Sequence, residues 1–246
     1  MAPSAKTIAK LTDAASNGDA VAQLRLGAYY LTGDGVELNA ETAVKHFTQS
    51  ASQGNENAQT ELGMCYRDGE GVSRDVAKAA EWFLKGANGG NLDGQNAIGM
   101  AYEAGEGVPK DVAEAVKFFR LAAEQGHSEA QCNLGVMYHL AQEYSTSFDW
   151  FKKAAEQEDA GGQFNLGLMY KYGRGINQDK VKGQQLLEAS AAQDYGEAKA
   201  ELAKAKDVAE ALPDVDKATE AMKILGIDTK GNTEGSTGEI VSAEAA

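Results

Sequence analysis

Four Gly-x-Gly-apolar segments are the stretches of this 246-residue chain that most invite a chemical reading: Gly33-Asp34-Gly35-Val36, Gly69-Glu70-Gly71-Val72, Gly105-Glu106-Gly107-Val108 and Gly173-Arg174-Gly175-Ile176. A glycine loop cradles phosphate when it follows a strand, opens a helix and carries a third glycine in register. Here each segment follows a helical pattern and the motif recurs, so it reads as a turn. His46, His127 and His139 are the histidines, and no pair has the His-x-x-x-His spacing that puts two imidazoles on one helix face. The two cysteines, Cys65 and Cys132, are far apart, and Cys132 reads as a small hydrophobe. Nucleophilic catalysis needs an activated side chain with a base in reach. No Ser-x-x-Lys, Lys-Thr-Gly or serine nucleophile-elbow motif occurs. The residues predict neither a catalytic apparatus, nor a metal site, nor a cofactor.

The elements around these turns repeat. Leu26-Gly27 returns as Leu62-Gly63, Ile98-Gly99, Leu134-Gly135 and Leu166-Gly167, at intervals of 36, 36, 36 and 32 residues. A tyrosine stands three residues after each glycine, at Tyr30, Tyr66, Tyr102, Tyr138 and Tyr170. Ala58, Leu62 and Tyr66 fall at i, i+4 and i+8, one stripe of a helix, and Gly63 beside them leaves room for a neighbouring helix to come close. The glycine turn stops that helix. Asn39, Asp75, Asp111 and Asp179 are then placed to N-cap a second helix, and Asp111 with Glu114 has a capping-box pattern. The second helix turns Phe47, Phe83, Phe119, Phe151 or Leu187 inward, with an alanine four residues on. One such hairpin cannot bury its apolar face alone, so hairpins must stack.

The expected organisation is all-α. An N-terminal capping helix (residues 1–17) precedes five repeats, 18–53, 54–89, 90–125, 126–157 and 158–193, with a partial repeat and C-terminal capping helices over 194–228. A final helix is expected from Asp214 to Gly226 after Pro213, and 229–246 has the composition of a disordered tail. The fourth repeat is four residues short between Tyr138 and Phe151, and its link has no glycine, which should alter the local helix crossing.

Charge and composition exclude several classes. Asp+Glu number 37 against 23 Lys+Arg, a net charge of −14, which repels phosphate backbones and anionic lipid and argues against nucleic-acid binding. No stretch approaches the roughly 20 apolar residues of a membrane span, and the N-terminus lacks the apolar core of a signal peptide. With only two cysteines, a reducing, cytoplasmic setting is the expectation.

The order Ala-x-x-x-Leu-Gly-x-x-Tyr, Gly-x-Gly-Val, Asp, Ala-x-x-Trp/Phe-Phe, Ala-Ala, Gly resembles the Sel1-like repeat family, a relative of the tetratricopeptide repeats, most fully over Ala58 to Gly90. The resemblance implies a right-handed superhelix of antiparallel helix pairs and a scaffold or adaptor role. It also carries a competing reading, the β-lactamase-like hydrolase activity linked to a disulfide-bridged branch, whose paired cysteines this chain lacks. A purely structural subunit is the third reading.

In such superhelices the first helix of each pair lines the concave face. Related repeats then place Leu24, Ala28 and Leu31 there, followed by Thr60, Met64 and Arg67, and by Asn96, Met100 and Glu103. The last two repeats contribute Cys132, Val136 and His139, and Phe164, Leu168 and Lys171. The apolar members suit a partner helix or peptide, methionine adapts to varied shapes, and the acidic balance favours a basic partner. A monomer is favoured. Gln23, Gln59, Gln95, Gln131 and Gln163 recur at one position and read as internal hydrogen-bonding groups, while the tyrosines, Trp82 and Trp150 read as core. His46 takes the slot of Trp82, Phe118 and Trp150 and reads as a packing residue.

Overall fold

The computed structural model describes residues 3–211, and the elements there are all helices. α1 spans Ala5–Ser16. Five hairpins follow: α2–α3 (Ala20–Thr32, Ala40–Ser52), α4–α5 (Glu56–Asp68, Val76–Asn88), α6–α7 (Leu92–Ala104, Val112–Glu124), α8–α9 (Ser128–Leu140, Tyr144–Glu156) and α10–α11 (Ala160–Tyr172, Lys180–Ala192). α12 is Gly196–Ala211. The expected helix from Asp214 and the tail from residue 229 lie outside the described residues.

Each hairpin is punctuated by its own sequence. Gly69 ends α4 in the left-handed region at φ +75°, its N–H bonded to the Cys65 carbonyl. Gly71, at φ +68°, also makes room for the neighbouring hairpin, since a Cβ there would run into the Ala40 carbonyl at the start of α3. Gly107 meets the Val76 carbonyl in the same way, so in the second and third repeats this turn glycine seats the hairpin on the preceding one. The side chains of Asn39, Asp75, Asp111 and Asp179 accept from backbone N–H groups in the first turns of the second helices. Asp111 caps through both Ala113 and Glu114, but Glu114 pairs with Lys117, so only half of the expected capping box forms.

Between the two helices of a hairpin the contact is a ring on a glycine. A Cβ added to Gly63 would lie 2.6 Å from Phe83 Cδ1, and one on Gly99 would lie 2.7 Å from Phe119 Cδ1. Phe47, Phe119, Phe151 and Leu187 are at most 1% exposed, which at roughly 1.5–3 kcal/mol per buried side chain makes this position the main apolar anchor. The tyrosines and Trp82 and Trp150 depart from expectation: they are half-buried. Their rings back the core while a face or edge meets solvent, and Lys85 Nζ and Lys153 Nζ sit 3.8 Å and 4.0 Å over Trp82 and Trp150.

The chain divides inside α8 into two units, Met1–Met137 and Tyr138–Ala246. In the first, α1 to α7 pack on their chain neighbours in order, and α4 also touches α6. In the second, α9 packs on α10, α10 on α11 and α11 on α12.

Candidate protein-interaction surface

The recurring glutamines are consumed inside the molecule. Gln23, Gln59, Gln95 and Gln131 donate to the carbonyls of Ala15, Ala51, Ala87 and Ala123, at 3.1, 3.2, 3.3 and 3.0 Å. These carbonyls sit in the last turn of the preceding second helix, where no intrahelical partner is available. The Gln23 and Gln163 side-chain oxygens in turn accept from Gln53 and Gln193. The amide ladder therefore joins repeats to one another, as its spacing indicated.

The first-helix row divides into sealed, half-open and open positions. In the first unit, Thr60, Asn96 and Cys132 are buried, a correction to their expected place on a binding face. The Thr60 hydroxyl bonds to Glu56 O and Asn91 Oδ1 at 3.0 Å each, and Asn96 Oδ1 accepts from Asn133 at 2.9 Å. Close approach of neighbouring first helices encloses Thr60 and Asn96. Leu24 and Leu31 are half-buried against the Ala43–Phe47–Leu62 cluster, and Met64 packs on the next cluster around Phe83 and Ile98. Glu103 and Val136 are half-buried, Ala28 and Arg67 are exposed, and Met100 is 43% exposed. In the second unit His139, Phe164, Leu168 and Lys171 are half-buried. Phe164 lies 5.4 Å from the Tyr195 ring, and Lys171 Nζ bonds to Glu201 at 2.8 Å, so these two positions are largely occupied from within.

Between α4, α5 and α6 the first unit holds a cavity of about 210 Å³. Val76, Ala79, Ala80 and Phe83 of α5 form one wall, and Ala97, Met100, Ala101 and Ala104 of α6 the other. Arg67 and Glu106 contribute the charged atoms. Two residues of the expected set, Arg67 and Met100, thus meet at one concavity. The alanines of α6 create it, because larger side chains there would fill it.

The titratable groups are tied into packing. Burial, with help from Glu61, Glu70 and Asp68, pushes the Cys65 thiol up to about 12, so it stays protonated at neutral pH. Both cysteines are buried and unpaired with one another. Burial raises Glu61, with nearby Asp93 adding to the effect. Burial also lowers His46, which stacks on Tyr30 at 5.7 Å. His139 is lowered by burial and by Arg174, whose Nη1 lies 3.3 Å from its Nε2. Burial alone would raise Glu201, but hydrogen bonds from Lys171, Tyr172 and Lys204 hold it at about 2. Among the described residues no group of three or more His, Cys, Asp or Glu is disposed to hold a metal ion, and no helix is long and apolar enough to cross a membrane.

Sequence reasoning missed the role of His127. Its Nδ1 accepts the Ala130 N–H at 3.1 Å and so caps α8, which leaves Nε2–H to donate to Asp93 at 3.0 Å. Asn91 makes the equivalent pair of contacts 36 residues earlier, capping α6 and donating to Asn57 at 2.7 Å. That shared 36-residue register was the available signal.

A family model described as Sel1 repeat matches residues 20–55, 57–91, 92–127, 128–159 and 160–195, more than half of the chain. Among solved structures, a Sel1 repeat protein from Oxalobacter formigenes is 26% identical with a TM-score of 0.73, covering 84% of each chain. A protective antigen of uropathogenic Escherichia coli with an SLR fold is 31% identical over 87% of this chain, with a TM-score of 0.72. This chain spans only 46% of that antigen's length. An immunity protein from Pseudomonas aeruginosa, 21% identical with a TM-score of 0.53 over 84% of this chain and 82% of its own, shares the fold. No curated protein matches the chain.

Proposed function

The chain belongs to the Sel1 repeat family, whose fold generally mediates protein–protein interaction, and on that premise we propose that it is a non-catalytic adaptor holding a peptide or helix of a partner protein against its first-helix row. The observation that carries this reading is where unspent surface lies. The recurring polar side chains are used between repeats, whereas the same helices leave apolar surface open at Ala28 and Met100, the latter beside a cavity. Exposed apolar surface next to a concavity is what a partner side chain buries on docking. A catalytic reading lacks a comparable feature. The Cys65 thiol is held protonated, and His46, His127 and His139 serve in stacking, capping and an arginine contact. The reading includes a monomeric chain in a reducing, cytoplasmic compartment, which suits two buried cysteines that form no disulfide with one another.

A photo-crosslinking amino acid placed at residue 28, on the row, and at residue 48, exposed on α3, tests the proposal in the native host. A partner captured at 28 and absent at 48 is the expected result. Equal capture at both, or capture at 48 alone, would remove the first-helix row as the docking surface.

A further inference from the structure

Resting on the interaction reading above, we propose that the cavity between α4, α5 and α6 receives one apolar side chain of a basic segment: an aliphatic or aromatic residue with lysine or arginine within about one helical turn. Its size selects a side chain over a small molecule. Small-molecule sites run roughly 300–1,000 Å³, and this cavity is about 210 Å³. Its walls are apolar, with Phe83 at the base and Ala101 and Ala104 along α6, and Met100 at the edge is 43% exposed. An unbranched thioether side chain reshapes around different guests.

Charge decides the flanks. Arg67 is the cation on the cavity wall, and its guanidinium is closed by two 2.8 Å bonds to Asp68. Arg74 donates to the Arg67 carbonyl. Glu106 lines the cavity and Glu129 lies within electrostatic reach of Arg67. Neither carboxylate has a side-chain hydrogen bond or ion pair among the described residues. The mouth thus offers an apolar socket with the Glu106 carboxylate on its lining and Glu129 within the same field around Arg67. A second copy of this chain, itself at net charge −14, is a poor occupant. A cationic partner gains both complementarity and a faster encounter.

The test selects peptides from a phage-displayed library of random dodecamers on the full chain, then measures the binding of labelled winners by anisotropy at several salt concentrations. The expected peptides carry a large apolar residue beside lysine or arginine, and their affinity falls with salt. Ala104→Phe, which plugs the mouth from an exposed position, weakens them by about tenfold or more, and Glu106→Lys weakens them most at low salt. Methyl-labelled Met100 shifts on binding while buried Met137 does not. Thermal melts of both variants matching the parent show that folding is intact; if either is altered, Met100→Ala and the methyl shifts decide. Selection of acidic or uncharged peptides, or unchanged binding to Ala104→Phe, overturns the proposal. If the peptides resist Ala104→Phe yet are lost on Ala28→Arg, the cavity assignment fails and the adaptor reading stands. If no selected peptide responds to any first-helix substitution, both fall.

Discussion

Between α6 and α7 the chain spends seven residues, 105–111, and between α8 and α9 only three, 141–143, yet all four helices are 13 residues long. The four missing residues of the fourth repeat come entirely from the link. In the third repeat that link is made of backbone chemistry: Gly105 caps α6, Gly107 seats on Val76, and Asp111 accepts two N–H bonds. In the fourth repeat Gln142 takes the left-handed conformation at φ +61°, and Glu143 precedes α9 with no side-chain cap bond. Side chains supply what the backbone lacks: His139 meets Tyr144 edge-on at 5.1 Å and lies 6.5 Å from Phe151. The exchange is incomplete, since His139 Nδ1 is buried without a partner. Helix length is the invariant of this repeat, and the link is where change is tolerated.

The strongest way to break the comparison is Gly107→Ala. It combines a positive φ with a collision against the Val76 carbonyl and should cost about 3 kcal/mol or more in urea denaturation. A loss below about 1 kcal/mol would show that the turn does not seat one hairpin on another. The second test contrasts how the two units are joined internally. Amide hydrogen bonds link repeats in the first, whereas in the second the Lys171–Glu201 pair ties α12 to α10. Glu201 has a folded value of about 2, below the ordinary carboxylate range near 4.3, so its contribution is complete above that range and fades as pH falls toward 2. Glu201→Gln should flatten the acid limb of stability measured from pH 5 to 2; an unchanged limb would show that the ion pair does not hold α12 on α10.

Smaller effects sharpen the contrast between the two links. Asp111→Ala removes a working cap and should lose about 1 kcal/mol, while Glu143→Ala, with no cap bond to lose, should stay within about 0.5 kcal/mol. Equal losses in chemical denaturation would mean that capping does not distinguish the links. Smallest is Gln142→Gly, which relieves a left-handed non-glycine residue and should gain about 0.5 kcal/mol, read as a higher denaturation midpoint.

Much of this molecule was legible from local chemistry. The Leu-Gly-x-x-Tyr period, the turn glycines and the caps at Asn39, Asp75, Asp111 and Asp179 each act within a few residues, so sequence alone determined the hairpin and its recurrence. The glutamine ladder was legible because five copies at one position point to one shared bond. What only the tertiary structure decided depends on distances between repeats. Thr60, Asn96 and Cys132 stand at positions equivalent to Leu24, yet all three are buried, Thr60 and Asn96 with bonds to the next first helix, and periodicity carries no information about how closely two helices approach. The half-exposure of the tyrosines, the His127–Asp93 bond, the Lys171–Glu201 pair and the cavity beside Met100 are of the same kind. Each arises where residues from different helices, or several alanines at once, meet in space, and van der Waals fit and desolvation are settled only there.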